Sequence, residues 1–392
     1  MSEQDQPVIE PFGFLAPPRP VPTPAPDPSA VWDLDGGTAW AYLANDRHGL
    51  TRPVILADGF NTGPSELDVL WEGLERGDYR FITELRHRGY DLVLVGFDER
   101  SASILDNARV VTETILRACA ERLGSAPLTV GGFSMGGLVT RYALAKMEAE
   151  GIDHQTAVYV SYDSPHNGAW VPIALQGLAH FMTGVPALSR QINSPASREL
   201  LWRHIESVDA QPGEDPMRRD FLAALKEVGD WPRRPRLLGV ANGVGTGEGN
   251  GVVAGQEALR VDSGWFAGTT LSTQAAGMAR VALLKGLFRE DEVETTDLPE
   301  LDGAPGGTLE TFGIAGDKLR VTGEVEVAYR TISFVPTVSA VAIAGLETPY
   351  DPVDDMSPDR SELDDFAVAS TNEPHTKMTE ELGGWILDRL PR

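Results

Sequence analysis

Residues 126–151 read "APLTVGGFSMGGLVTRYALAKMEAEG". An apolar run ends in Gly131 and Gly132, a single serine follows, and two more glycines open a segment with helical spacing that closes on Gly151. The spacing predicts a strand over 126–133, a sharp turn, and a helix over 136–151. Within the turn, Gly132-Phe133-Ser134-Met135-Gly136 fits G-x-S-x-G. A serine lifted out at such a joint takes a strained backbone, and the residues two before and two after it must be small. The helix beyond it directs backbone N–H groups and its positive dipole end at the serine oxygen. The simpler alternative is a tight turn with no chemistry. The bare five-residue pattern is weak evidence, and its place between a strand and a helix is what gives it weight.

On either side of this stretch, short apolar runs alternate with helical segments. Strands are expected at "TAWAYLAN" (38–45), "RPVILADGF" (52–60), "DLVLVGF" (91–97), "TAVYVSYD" (156–163) and "RPRLLGVANG" (234–243). Helices are expected at 65–90, with one break, and at 101–123. Continuous apolar strands separated by helices indicate a mostly parallel sheet covered on both faces. Ligands on such sheets bind beyond the carboxyl ends of the strands, where Ser134 would stand.

Three regions depart from this rhythm. Residues 1–30 form a proline-rich arm, expected to be extended as a linker or laid on the body. Residues from about 170 to 233 read as apolar amphipathic helices, expected to form a cap over the site, with ordinary outer helices as the alternative. Residues from about 254 to 345 favour strands. "ALRVDSGWFAG", "TLETFGIAG" and "KLRVTGEVEVAYRTISFVP" alternate like antiparallel ribbons, and "GMARVALLKGLF" (277–288) fits either helix or strand. The tail ends in a helix with Thr379 as its N-cap and acids in the first turn. The body thus spans residues 31–392.

Composition narrows the function. The chain has 392 residues and a formal charge of -25. Such a surface repels phosphate backbones and anionic bilayers, so neither nucleic acid nor stable membrane insertion is expected. Cys119 is the only cysteine. That excludes an internal disulfide and any cysteine cluster, and its setting "TILRACAERL" predicts a buried thiol. No His/Glu pair has zinc spacing, and no G-K-[ST] follows the glycine-rich "GVGTGEGNGVVAG", so no metal or cofactor is expected. That loop reads instead as a mobile segment near the site. The acidic N-terminus lacks a leader's apolar core and no run approaches ~20 apolar residues, so the expected location is the cytoplasm. No feature sets an oligomeric state.

Acyl transfer at a serine needs an oxyanion hole. One donor is expected to be the backbone N–H of Met135. The other would come from the loop after an early strand, "VILADGFN" (54–61), where the Phe60 N–H is the candidate. Here the chain resembles the α/β-hydrolase lipases and esterases. Their usual His-Gly at this point is Asp58-Gly59 in this chain. A second resemblance is "SYDSPHNGAWVP" (161–172), similar to the Thr-Pro-His-x-Gly segment of many bacterial lipases and GPI-inositol-deacylase-like proteins. A third is "SASILDNARVV", like the helix before the nucleophile strand in that group. The resemblance covers roughly 50–172 and the late histidine region and implies an α/β-hydrolase fold. It does not extend to 245–345, and the helical cap and β-rich C-terminal decoration are read from the sequence pattern alone.

The resemblance also implies a base on a loop before the last helix, which His375 in "STNEPHTKMTEEL" occupies. His48, His87 and His154 sit in or beside polar surface segments, His180 and His204 lie in the expected cap, and His166 is not the family's base. The acid stays open. Asp163 ends the strand after the nucleophile strand, a place pancreatic-type lipases use. Asp351, Asp354 and Asp355 follow as alternatives, then Glu248, with Asp364 and Asp365 also nearby in the sequence. The expected activity is hydrolysis of a hydrophobic carboxylic ester. An acyltransferase or lyase of the same fold is the main competitor, and a non-catalytic binding protein the second.

Overall fold

The computed structural model describes residues 22–44 and 49–391, apart from the side chain of Pro358. Most of the expected proline-rich arm, and His48, lie outside the described residues. The chain opens with β1 (Ala30–Leu34) and β2 (Gly37–Tyr42), an antiparallel pair, followed by β3 (Pro53–Ala57). Then come α1 (Leu67–Glu75), α2 (Phe81–His87), β4 (Asp91–Phe97) and α3 (Ile104–Glu121). The quoted stretch forms β5 (Leu128–Phe133) and α4 (Met135–Ala149), and β6 (Thr156–Tyr162) follows. Beyond α5 (Ile173–Phe181), α6 (Pro186–Ile192), α7 (Pro195–Leu200) and α8 (Pro216–Glu227), the chain returns as β7 (Arg236–Ala241).

These strands, with a late one described below, build an eight-stranded sheet. Its first two strands are antiparallel to their neighbours and the rest are parallel. Every residue of β3, β4 and β5 is buried, as a sheet covered on both faces requires. Ile55, Val93 and Val130 face α3, α4 and α8 through Val111, Leu138 and Phe221. Val54, Leu92 and Val160 face Trp71, Phe81 and Leu85 on the opposite side. The described part of the N-terminal arm lies on that second side. The Ala25 N–H donates to Asp68 of α1 at 2.8 Å, and Tyr42 Oη donates to the Pro26 carbonyl at 2.9 Å.

The β-rich region forms a second, five-stranded sheet. It comprises β8 (Glu257–Val261), β9 (Thr270–Ser272), β10 (Gly277–Lys285) and β11 (Glu290–Leu298), closed by a short strand given below. The ambiguous 277–288 segment is therefore strand, in a hairpin with β11. β11, "EDEVETTDL", was not legible because its acids line the exposed side while Val293, Thr295 and Leu298 alone are buried. The expected ribbon at "TLETFGIAG" is corrected. β12 (Gly306–Leu309) stops early and α9 (Thr311–Leu319) takes over. Phe312, Ala315 and Leu319 recur at helical spacing and are fully buried, so burial of one helical face overrides the apparent alternation. "KLRVTGEVEVAYRTISFVP" likewise divides into β13 (Val325–Val327), which pairs with β8, and β14 (Ile332–Pro336), which pairs with β12. The four-residue α10 (Thr337–Ala340), β15 (Asp365–Val368) and α11 (Glu380–Leu387) complete the chain. β15 joins the main sheet beside β7. Thr379 caps α11 by accepting from the Leu382 N–H at 3.2 Å, with Glu380 and Glu381 in the first turn.

The helices at 170–233, expected as one cap, divide between two cores. Leu175, Leu178 and Phe181 of α5 pack with Val281, Leu284 and Val293 of the second sheet. Leu200 of α7 and Phe221 and Leu225 of α8 join the α3–α4 layer instead. Glu199 pins that half. Its buried carboxylate accepts from Ser103 Oγ at 2.6 Å and from the Ile104 N–H at 2.7 Å, at the N-terminus of α3.

Burial pushes Glu199 up to about 7, against the opposing pull of those two donors. A carboxyl raised in the fold contributes stability that is complete below its unfolded value of 4.5 and is lost as pH rises through about 7. Glu199→Gln keeps the shape and an acceptor without the charge. Between pH 5 and pH 8 the variant's stability should therefore rise relative to wild type by about 2–3 kcal/mol. Parallel thermal melts check this. A flat or falling difference would mean that the Ser103 and Ile104 bonds outweigh burial.

Candidate active site

Parallel pairing sets the site at the carboxyl ends of β5, β6 and β7. The Ser134 N–H donates to the Tyr162 carbonyl at 2.9 Å, and the Asp163 N–H donates to the Val240 carbonyl at 2.8 Å. Each strand thus runs one residue past its end before the chain turns. Ser134 has φ 51° and ψ -121°, a left-handed conformation that a non-glycine residue adopts only under constraint. Gly132 and Gly136 make the turn possible. A Cβ at 132 would collide with the Gly136 backbone, and one at 136 with the carbonyl of Ala57. Met135 begins α4, so the helix N-terminus adjoins the Ser134 side chain.

Ser134, His375 and Asp163 come together. His375 Nε2 lies 2.8 Å from Ser134 Oγ, and Nδ1 lies 2.6 Å from Asp163 Oδ2. An ionised carboxylate only accepts, so Nδ1 carries the ring proton and Nε2 is left to accept from the hydroxyl. Asp163 is fully buried and its Oδ1 accepts the Asn242 N–H at 3.0 Å. Backbone strain recurs here. Asp163 has φ 49°, and Thr376, beside the histidine, has φ 59°. A β-branched residue at positive φ is uncommon and needs neighbours that hold it there.

The loop after β3 passes alongside. A Cβ at Gly59 would stand 3.3 Å from Ser134 Cβ and 3.9 Å from its Oγ, so Phe60 follows directly on the contact. Asp58, in the place of the family's histidine, organises this loop. Its Oδ1 accepts the Gly59 N–H at 2.7 Å, and its Oδ2 accepts from Ser65 Oγ at 2.7 Å and pairs with Arg100 at 3.6 Å. Arg100 also donates to the carbonyls of Thr62 and Gly63, both at 3.3 Å. Sequence reasoning passed over Asp58 as a departure from a pattern, although its hydrogen-bonding capacity was the available signal.

The other acids are placed elsewhere. Glu248, Asp354 and Asp355 are exposed, and the Asp351 N–H turns back to Thr348. Asp364 accepts the Leu237 N–H, and Asp365 pairs with Arg236 and Arg389. The glycine-rich loop is tied down, with Val353 and Asp354 N–H groups donating to Gly245. Among the histidines, His166 is fully buried against Trp231 with Nε2 3.0 Å from Ser161 Oγ. Burial, then the Arg141 charge, holds it well below its usual value and therefore neutral. His180 meets the Ile205 carbonyl and His204 meets Asp215. His154 is corrected from surface to buried. Its ring is fully covered where the chain turns from α4 into β6, with Nε2 3.0 Å from Glu148. Cys119 is half-buried rather than in the core, packed at the edge of the α3 layer with its Sγ 3.7 Å from the His154 carbonyl. No group of three metal-ligating side chains is found among the described residues. No helix among them is long and apolar enough to cross a membrane.

No family model matches the chain, and no curated protein matches it. Solved structures overlap with part of it. A Bacillus licheniformis lipase in its propeptide form shares 15% identity over 53% of this chain and 40% of its own, with a TM-score of 0.34. A hyperthermophilic esterase from Pyrobaculum calidifontis shares 12% over 41% of this chain and 52% of its own, at 0.29. Est1E from Butyrivibrio proteoclasticus shares 16% over 34% and 50%, at 0.26. This chain spans about half or less of each. The class is therefore defined by the chain's own architecture. A mostly parallel eight-stranded sheet between helical layers, with a serine on a strained strand-to-helix elbow at its carboxyl edge, is the α/β-hydrolase fold.

Proposed function

We propose that this chain is a serine hydrolase that cleaves carboxylic esters with an apolar part. The observation that carries the reading is the continuous relay from Ser134 Oγ to His375 to buried Asp163, at 2.8 and 2.6 Å. Ser134 Oγ attacks the ester carbonyl as His375 Nε2 takes its proton. The developing oxyanion is received by the backbone N–H groups of Met135 and Phe60. His375 then protonates the leaving alcohol, and an acyl-enzyme remains. Water, deprotonated by the same nitrogen, attacks the acyl carbon, and Ser134 Oγ leaves with the proton from the imidazolium. Asp163 fixes the tautomer and stabilises the imidazolium throughout. The apolar preference is supported by Phe334, whose ring meets His375 edge-on at 4.9 Å.

A second reading is acyl transfer to an acceptor other than water. Ser134 is only 7% exposed, and a covered nucleophile favours a reaction that limits water. Turnover of p-nitrophenyl esters of graded acyl length separates the two. Hydrolysis predicts a burst of about one equivalent of p-nitrophenol and then steady release. A burst without steady release, relieved by an added alcohol or amine, supports transfer. No release at any length removes both readings.

A further inference from the structure

We propose that the two-stranded ribbon of β12 and β14 is a positioning element for the relay, with Gly307 and Phe334 setting the acid and the base. The inference rests on the hydrolase reading for its kinetic consequences, but not for its geometry. One short ribbon reaches three parts of the site. Gly307 lies flat against the acid, where a Cβ would collide with Asp163 Oδ2, the oxygen that meets His375. The next residue, Thr308, turns both backbone groups away from the ribbon. Its N–H donates to the Glu373 carbonyl at 3.0 Å and its carbonyl accepts the His375 N–H at 2.8 Å. Thr308 Oγ1 adds a 3.2 Å bond to the same Glu373 carbonyl. The strand pairing is shifted between Gly307 and Thr308, which is what frees those groups for the histidine loop. Opposite, on β14, the Phe334 ring packs edge-on against the imidazole at 72°.

The ribbon is itself held. The Phe334 carbonyl accepts the Trp170 N–H at 2.8 Å. Fully buried Asp302 accepts from Trp170 Nε1 at 2.7 Å, and its carbonyl accepts the Ser333 N–H at 2.9 Å. Asp163 and His375 lie 212 positions apart in the chain, and this ribbon touches both.

Gly307→Ala should push the carboxylate away from Nδ1, and Phe334→Leu should free the ring. Loss of alignment on the scale of 1 Å lowers kcat roughly 10²-fold, with KM within about twofold for Gly307→Ala. A weaker carboxylate contact stabilises the imidazolium less. The acidic limb of kcat/KM should therefore move to lower pH, which a merely structural defect would not produce. The low-field proton resonance of His375 Nδ1–H reads the same contact without any substrate, so it remains informative if esters are not the substrate. It should weaken or move upfield in both variants while thermal melts stay cooperative. If Gly307→Ala does not fold, Phe334→Leu carries the test. Variants that fold and keep the wild-type resonance and limb would overturn the proposal. Absence of ester turnover in wild type, with the resonance changes present, would instead remove the hydrolase reading alone.

Discussion

Ser134→Ala is expected to lower ester turnover by about 10⁶-fold, leaving only the catalysis supplied by binding and the oxyanion donors. The change removes one atom. The Ser134 N–H bond to Tyr162 is a backbone bond and is kept, and alanine meets the same backbone strain at φ 51° as serine does. Folding should therefore be nearly unchanged, and KM should move little, because in the proposed mechanism Oγ acts mainly in the chemical steps. Steady-state kinetics with a p-nitrophenyl ester, beside a thermal melt, check both parts. Retention of more than about one hundredth of the wild-type rate would place the nucleophile elsewhere.

Asp163→Asn is the second large effect, about 10⁴-fold in kcat. The amide fits the same volume, and its oxygen can still accept the Asn242 N–H that Oδ1 takes at 3.0 Å. Its nitrogen then faces His375 Nδ1. Two donors cannot share that contact, so the ring proton moves to Nε2, and the imidazole can no longer accept from Ser134. Reorientation is blocked because Asp163 is fully buried and Gly307 closes one side. The amide variants at Asp355 and Glu248, both exposed, should keep kcat within about twofold. A larger loss at either position than at Asp163 would contradict the assignment.

The elbow was legible because its constraint is local. Two small residues flanking a serine at a strand-to-helix joint are adjacent in the sequence, and their reason is steric. The parallel sheet was legible for a related reason, since strands buried on both faces read as unbroken apolar runs. β1 and β15 were not, being short edge strands with partly exposed faces. The acid was only partly legible. Asp163 ends a strand, but its distance from His375 depends on how β6, β7 and the tail assemble, and six other acids had comparable claims on sequence grounds. The supports around the relay were beyond reach. Gly307 stood just before a misread ribbon, and the bond pattern of Thr308 depends on a register shift that no residue type announces. The division of residues 170–233 between two cores has the same origin. Apolar helical faces declare that they are buried, and do not declare against what.

Covalent capture by a fluorophosphonate, read by mass spectrometry of the digested protein, tests most directly whether Ser134 is the nucleophile. One adduct per chain is expected on the peptide containing Ser134, abolished in Ser134→Ala and strongly slowed in Asp163→Asn. Wild-type protein that remains unlabelled, or labelling that persists in Ser134→Ala, would contradict that assignment.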